Sequence, residues 1–235
     1  LDGELADGVS YKVNTITQKD NTVRPPAPFI TSSLQASAST VLGFGAKRTM
    51  RAAQALYEGI TIKGEGQVGL ITYMRTDSTH LSGDALISVR TYVGNTFGEA
   101  YLPAKPNFYT SANQNAQEAH EAIRPTEAGR HPDTLPASID EDQRRLYKLI
   151  WSRFVACQMM PARWHRTEFY FEREDEATGA IFKVGGRTLA FDGFYKASGV
   201  PSSDTEQNLP VLKEEDVLYP FDITPKQNFS SPPSR

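Results

Sequence analysis

The sequence predicts an α+β protein in which a mostly helical module, residues 28–160, is inserted into a β-rich module made from residues 1–27 and 161–235. Three observations predict it. Apolar residues recur at helical spacing through the middle of the chain. Alternating runs rich in β-branched and aromatic residues occupy both ends. The run Pro25-Pro26-Ala27-Pro28 breaks any regular element where the texture first changes, and Pro161 marks the second change. Short stubs at both ends of an insertion point to a hinge. The chain opens without Met, closes on Ser-Pro-Pro-Ser-Arg, and is read as a piece of a longer protein.

Taken in order, Val9-Ser10-Tyr11-Lys12-Val13 alternates as a strand does, and Thr15-Ile16-Thr17 extends it. After the prolines, Thr31, Ser32 and Ser33 offer N-caps, and Leu34, Ala38, Val41 and Leu42 make one apolar face. Gly43-Phe44-Gly45 interrupts, and Ala46–Glu58 is a second helix with Met50, Ala53 and Tyr57 on one side and Lys47, Arg48 and Arg51 elsewhere. Two short helices around a Gly-containing turn form a helix-turn-helix candidate, a weak signal by itself. Lys63-Gly64-Glu65-Gly66 is glycine-rich but lacks the spacing of a phosphate-binding P-loop. Gly69–Arg75 reads as a strand. Ser82 caps a helix with Leu86, Val89, Val93 and Phe97 inward and Asp84 in its first turn. Residues 103–138 are rich in Pro, Asn and Thr and hold a helical stretch, Asn113–Ala122. Asp140–Met159 is a strong helix, with acids at its start, a stripe of Leu146, Ile150, Phe154 and Cys157, and Pro161 beyond its end. Strand texture returns at Trp164–Glu172, Ala180–Val184, Arg187–Phe191 and Val217–Ile223, with Ser198–Pro210 a loop.

Composition narrows the class. A 39% hydrophobic content suits a globular protein with a core. No apolar run approaches the roughly 18–20 residues of a membrane span, and no signal-peptide pattern is visible. The single Cys157 rules out an internal disulfide framework, fits a reducing compartment and lies where a packing residue belongs. It cannot build a zinc ribbon. His120-Glu121 lacks the second His of an H-E-x-x-H zinc motif. The net charge of -3 is uneven: -1 over 1–27, +1 over 28–160 and -3 over 161–235. That charge does not advertise a polyanion binder; a nucleic acid, if one binds, is expected on the middle third, held by local geometry rather than bulk charge.

The chemistry concentrates in Tyr73-Met74-Arg75-Thr76-Asp77-Ser78. On a strand, the period of two puts Ile71, Tyr73 and Arg75 on one face. A phenol and a guanidinium placed so could attack phosphorus and hold the phosphate oxygens. The phenol's reference pKa of about 10 means that it needs deprotonation or a cationic setting to act as a nucleophile. Each residue also has a structural reading: packing for Tyr73, a solvated charge for Arg75, a turn and helix cap for Thr76, Asp77 and Ser78.

Two segments together carry a resemblance. Gly69 to Ser82 reads GLITYMRTDSTHLS, and Ala116 to Thr126 reads AQEAHEAIRPT. Both closely resemble signatures of the bacterial type IA DNA topoisomerase I family. Ala27–Gln35, Leu42-Gly43-Phe44, Lys47–Met50, Ala55–Glu58, Phe154–Met159 and Phe191-Asp192-Gly193 resemble the same family in the same order. Met74 stands where topoisomerase III and many relatives tend to have Pro.

The resemblance implies a catabolite-activator-like winged-helix module over 28–160 and a β-rich arch that serves as hinge. It implies that Tyr73 attacks single-stranded DNA to form a 5′-phosphotyrosyl link, that another strand passes, and that the nick reseals without ATP, relaxing negatively supercoiled DNA. Arg75 would stabilise the transition state. His120, Arg124, Thr76 and Ser78 are the candidate DNA contacts, with Arg124 also open to pairing with Glu118 or Glu121. His80, His131 and His165 receive no role. No D-x-D-x-D cluster occurs, so Mg²⁺ is expected to be held by a Toprim domain outside this chain, and the chain alone is expected to be inactive. A monomer working in the bacterial cytoplasm on the nucleoid is expected, with no membrane partner. A non-enzymatic winged-helix DNA-binding module is the alternative. A relaxase would need a metal-binding His pair that is missing, and a tyrosine recombinase would place its Tyr after a basic cluster near the domain's end.

Overall fold

The computed structural model describes residues 10–109, 120–174, 181–201 and 209–219. The elements run β1 (Tyr11–Val23), α1 (Thr31–Ser37), α2 (Ala46–Glu58), β2 (Ile60–Ile62), β3 (Gly66–Val68), α3 (Gly83–Phe97), α4 (Glu141–Cys157), β4 (Ala162–Arg173), β5 (Ile181–Phe191), α5 (Tyr195–Ser198) and β6 (Val217–Leu218). The chain divides into two compact units. One comprises Leu1–Asn21, Trp164–Thr188 and Ser202–Arg235, the other Thr22–Arg163 and Leu189–Pro201. Thr22–Ala27 and Leu189–Pro201 thus group with the helices. Hydrogen bonds tie them there: Tyr109 Oη donates to the Pro25 carbonyl at 3.1 Å, and Phe194 N donates to the Met160 carbonyl at 2.9 Å.

The first unit is built on a sheet of order β5-β4-β1-β6. β6 runs antiparallel to β1 with Tyr11 opposite Leu218. β1 is longer than its alternation predicts, and the two expected strands Ala180–Val184 and Arg187–Phe191 are one strand running through Gly185-Gly186. The expected strand from Val217 is Val217–Leu218 within the described residues; its remainder, from residue 220, lies outside them.

The helical unit packs around α4. Asp140 caps that helix by accepting from Asp142 N and Gln143 N, and Leu146, Tyr147, Ile150, Trp151, Phe154 and Val155 are buried along it. Among the described residues no helix is long and apolar enough to cross a membrane. Two helix faces differ from their sequence reading. α1 passes into π-helical winding over Ala38–Leu42. The wider i→i+5 turn rotates the face, so Leu34 and Ala38 are buried while Val41 is 65% exposed. α2 buries Thr49, Ala52, Ala53 and Leu56 rather than Met50, Ala53 and Tyr57. Thr49 enters the core because its hydroxyl donates to the Gly45 carbonyl at 3.2 Å, and that shifts the inward stripe by one position.

A hairpin missed in the sequence follows α2. β2 and β3 pair antiparallel with Ile60 opposite Val68, and residues 63–65 are their turn. Its neck is tight. A Cβ on Gly59, whose φ is +102°, would lie 2.8 Å from Val68 backbone, and one on Gly69 would lie 2.8 Å from the Tyr57 carbonyl. At the tip Arg130 Nη2 donates to Glu65 Oε2 at 2.8 Å and to Glu127 Oε2 at 3.0 Å.

Candidate active site

The Tyr73 segment is not a strand. Between Gly69 and Ser82 the backbone is irregular apart from a single bridge, Ile71 to Pro125. The reason is visible in its partners, which come from three directions. Leu70 N donates to the Leu56 carbonyl at the end of α2 (2.8 Å), and Thr72 N donates to the Arg124 carbonyl (2.9 Å). Thr31 N, at the start of α1, donates to the Thr76 carbonyl at 2.9 Å. No single neighbour runs alongside for long enough to make a ladder.

Threonine hydroxyls complete the suspension. Thr31 Oγ1 donates to the Met74 carbonyl (2.8 Å) and accepts from Thr76 N (2.9 Å). Thr72 Oγ1 donates to the Ala122 carbonyl (2.7 Å) and accepts from Arg124 N (3.0 Å). The two sequence signatures are thereby stitched together, with Ala122 N donating to the His80 carbonyl at 2.8 Å as a further stitch. Ile71 and Met74 are buried, whereas Tyr73 is 49% exposed and Arg75 is exposed. Ile71 therefore does not share the Tyr73 face, as a strand would require. Met74 is the plug, and its two neighbours are pushed outward on either side of it. Arg75 takes part in none of the ion pairs among the described residues.

The remaining candidates separate by placement. His120 is exposed, two residues before the Ala122 carbonyl that Thr72 holds. The helical stretch expected over Asn113–Ala122 lies outside the described residues up to Ala119, and His120–Ala122 is not helical. Thr76 and Ser78 are buried, and their hydroxyls serve the loop itself: Thr76 Oγ1 accepts from Ser78 N, and Ser78 Oγ accepts from His80 N, both at 3.1 Å. That placement supports their turn-shaping reading.

Arg124 is half-buried and pairs with Glu121. Its Nη2 donates to Glu121 Oε2 at 2.7 Å, and its Nη1 donates to the Pro125 carbonyl at 2.9 Å. Glu121 Oε1 accepts from Ser82 N at 2.8 Å, at the N-cap of α3. Burial alone would push the Glu121 carboxyl up. The Ser82 hydrogen bond and the Arg124 charge outweigh it and hold the carboxyl below its ordinary value.

A second layer supports this loop from α4. Gln158 is fully buried, and its amide exchanges hydrogen bonds with the Asn107 backbone, Nε2 to O at 2.9 Å and N to Oε1 at 3.1 Å. Tyr109 Oη donates to the Cys157 carbonyl at 2.8 Å, and Thr79 Oγ1 donates to the Tyr109 carbonyl at 3.1 Å. The Phe154–Met159 segment thus reaches the Tyr73 loop through residues 107–109. Cys157 is wholly buried and its thiol is pushed up to about 12 by burial, which fits packing rather than reactivity.

The arrangement presents a phenol and a guanidinium that has no ion-pair partner among the described residues, both exposed, on a backbone held from three sides. A phenol and a guanidinium so placed have the chemistry of a nucleophile and of a phosphate-binding fork. Among the described residues there is no group of three or more His, Cys, Asp or Glu that could hold a metal ion. Sequence reasoning missed Thr31 and Thr72 as holders of the loop and Tyr57 as its aromatic neighbour. Thr31 and Thr72 both lie inside the family-like segments, and that was their signal.

A family model described as DNA topoisomerase matches residues 3–235. DNA topoisomerase 1 of Campylobacter jejuni is 44% identical over 225 residues, covering 96% of this chain and 31% of the relative. That of Haemophilus influenzae is 46% identical over 226 residues, covering 96% of this chain and 24% of the relative. The chain therefore spans between 24% and 31% of the length of these curated relatives. The solved structure of full-length topoisomerase I from Thermotoga maritima is similar with a TM-score of 0.77 at 34% identity, over 92% of this chain and 34% of that one. Signatures, loop geometry, relatives and fold converge: the chain belongs to the DNA topoisomerase family, alongside the bacterial DNA topoisomerase I proteins.

Proposed function

We propose that the polypeptide carrying this chain is a type IA enzyme that relaxes negatively supercoiled DNA without ATP, and that Tyr73 is its nucleophile. The observation that carries this is the pair of exposed side chains, Tyr73 and Arg75, flanking the buried Met74 on a loop pinned by Thr31 and Thr72. The Tyr73 phenol oxygen, having given up its proton, attacks a phosphodiester of single-stranded DNA. A bond forms between that oxygen and phosphorus, the bond to the 3′ oxygen breaks, and the departing 3′ oxygen takes up a proton. The protein keeps the 5′-phosphate as an ester, so the reverse attack by the 3′-hydroxyl reseals the strand with no other energy source. Arg75 stabilises the charge that grows on the phosphate oxygens. His120 contributes a DNA-phosphate contact, and Arg124 serves chiefly to hold Glu121 in place.

The order α1, turn, α2, then the β2–β3 hairpin supports reading the helical unit as a winged-helix module with the hairpin as its wing. The sheet-based unit is assigned the part of the arch that lets the gate open. Mg²⁺ is assigned to residues outside this chain. The enzyme is assigned to the bacterial cytoplasm, acting as a monomer.

The test is covalent capture. A 3′-labelled single-stranded oligonucleotide incubated with the full-length polypeptide should yield a labelled protein adduct, and Tyr73→Phe should abolish it. An adduct that persists in Tyr73→Phe, or none from the parent protein, sinks the proposal. Absence of any adduct together with retained DNA binding would favour the non-enzymatic module.

A further inference from the structure

We propose that Tyr57 is a positioning residue for Tyr73, holding the nucleophile's ring in its attack orientation through an edge-to-face contact. The proposal rests on the reading of Tyr73 as the nucleophile. Three observations carry it. The two ring centroids lie 5.3 Å apart with an interplanar angle of 64°, within the preferred range for an edge contact. Tyr57 is 41% exposed on the last turn of α2, at the margin of the buried stripe of Thr49, Ala52, Ala53 and Leu56, and it is not one of the buried core residues. Tyr57 is also rigidly tied to the loop it touches. Its neighbour Leu56 accepts from Leu70 N at 2.8 Å, and its own carbonyl lies against Gly69, where no Cβ fits.

The physical need is clear from the loop. Thr31 and Thr72 fix the backbone around Tyr73, but a tyrosine on a fixed backbone still has two free side-chain torsions. An exposed nucleophile that samples several rotamers spends little time in line with a phosphorus atom. A ring on a helix end, locked to the same backbone, restricts those torsions and leaves the Tyr73 hydroxyl uncovered. The hydroxyl of Tyr57 has no part in this; its ring does.

The experiment compares single-turnover cleavage of a labelled oligonucleotide by the full-length polypeptide and its variants, with the DNA concentration for half-maximal rate measured alongside. Tyr57→Ala should slow cleavage at saturating DNA by about tenfold, the scale of one aromatic pair, while that half-maximal concentration stays put. Tyr57→Phe should restore the parent rate. Tyr57→Leu, which keeps apolar bulk but not the ring edge, should be slow like alanine, and it is the deciding variant if the alanine protein melts early. Parent-like cleavage by Tyr57→Leu overturns the proposal. So does a phenylalanine variant as slow as alanine, or a loss confined to DNA affinity. Tyr73→Phe, run in parallel, separates the two ideas: cleavage surviving it refutes the nucleophile, whereas its loss beside an unaffected Tyr57→Leu refutes only the positioning role.

Discussion

At Arg75 the functional group is a planar fork with no ion-pair partner among the described residues, so its full charge is available to a phosphate. Replacing it with Ala should lower single-turnover cleavage by about 10²-fold or more, and Lys, which keeps the charge but not the fork, should recover part of the loss. Gly193, in the Phe191-Asp192-Gly193 signature, is the structural counterpart. Its φ is +50°, and a Cβ there would collide with the Pro161 carbonyl oxygen and lie 2.6 Å from that of Met160. Gly193→Ala should destabilise the protein by about 2 kcal/mol or more, read as a lower melting temperature, because the left-handed backbone cost and the backbone clash add.

At the scale of elements, the irregular loop from Gly69 to Ser82 depends on hydroxyls that no ladder replaces. Thr31→Val keeps the shape of the side chain and removes its hydrogen bonds to Met74 and Thr76. Leaving Thr76 N without its partner should cost about 1–3 kcal/mol and slow cleavage, while circular dichroism shows the helices intact. Glu121 links Arg124 to the start of α3, and its lowered pKa is a stability statement. The folded value lies below the ordinary 4.5, so the stabilisation is present above that pH and is lost as pH falls through the folded value. The gap in melting temperature between the parent protein and Glu121→Gln should therefore be widest near neutral pH and close in acid.

For the whole molecule, the proposed nucleophile Tyr73 and the proposed phosphate clamp Arg75 both lie in the helical unit, and the described residues hold no group of three or more His, Cys, Asp or Glu able to bind a metal ion. Residues 1–235 taken alone should fail to relax negatively supercoiled plasmid in the presence of Mg²⁺, whereas the full-length polypeptide should succeed. Turnover by the shorter chain comparable to the longer one would contradict the assignment of Mg²⁺ to residues elsewhere.

Much of the helical unit was legible in the residues themselves. Ser82 caps the helix it was expected to cap, and α4 starts at its run of acids. α2 spans Ala46–Glu58 as its pattern indicates, and Leu146, Ile150, Phe154 and Cys157 are buried as one stripe. These features are local, set by spacing and by hydrogen bonds a few residues long. The same holds for the two signatures, whose chemistry depends on residue type and order. The tertiary structure decided what depends on distant partners. It turned an expected strand at Gly69–Arg75 into a loop held from α2, from Ala122–Thr126 and from Thr31. It shifted the inner face of α2 by one residue and so put Tyr57 against Tyr73 instead of in the core. An alternating run states which side chains prefer water. Which backbone groups will be their neighbours is settled only when segments 45 or 50 residues apart meet, as Thr31 and Thr72 do with their partners.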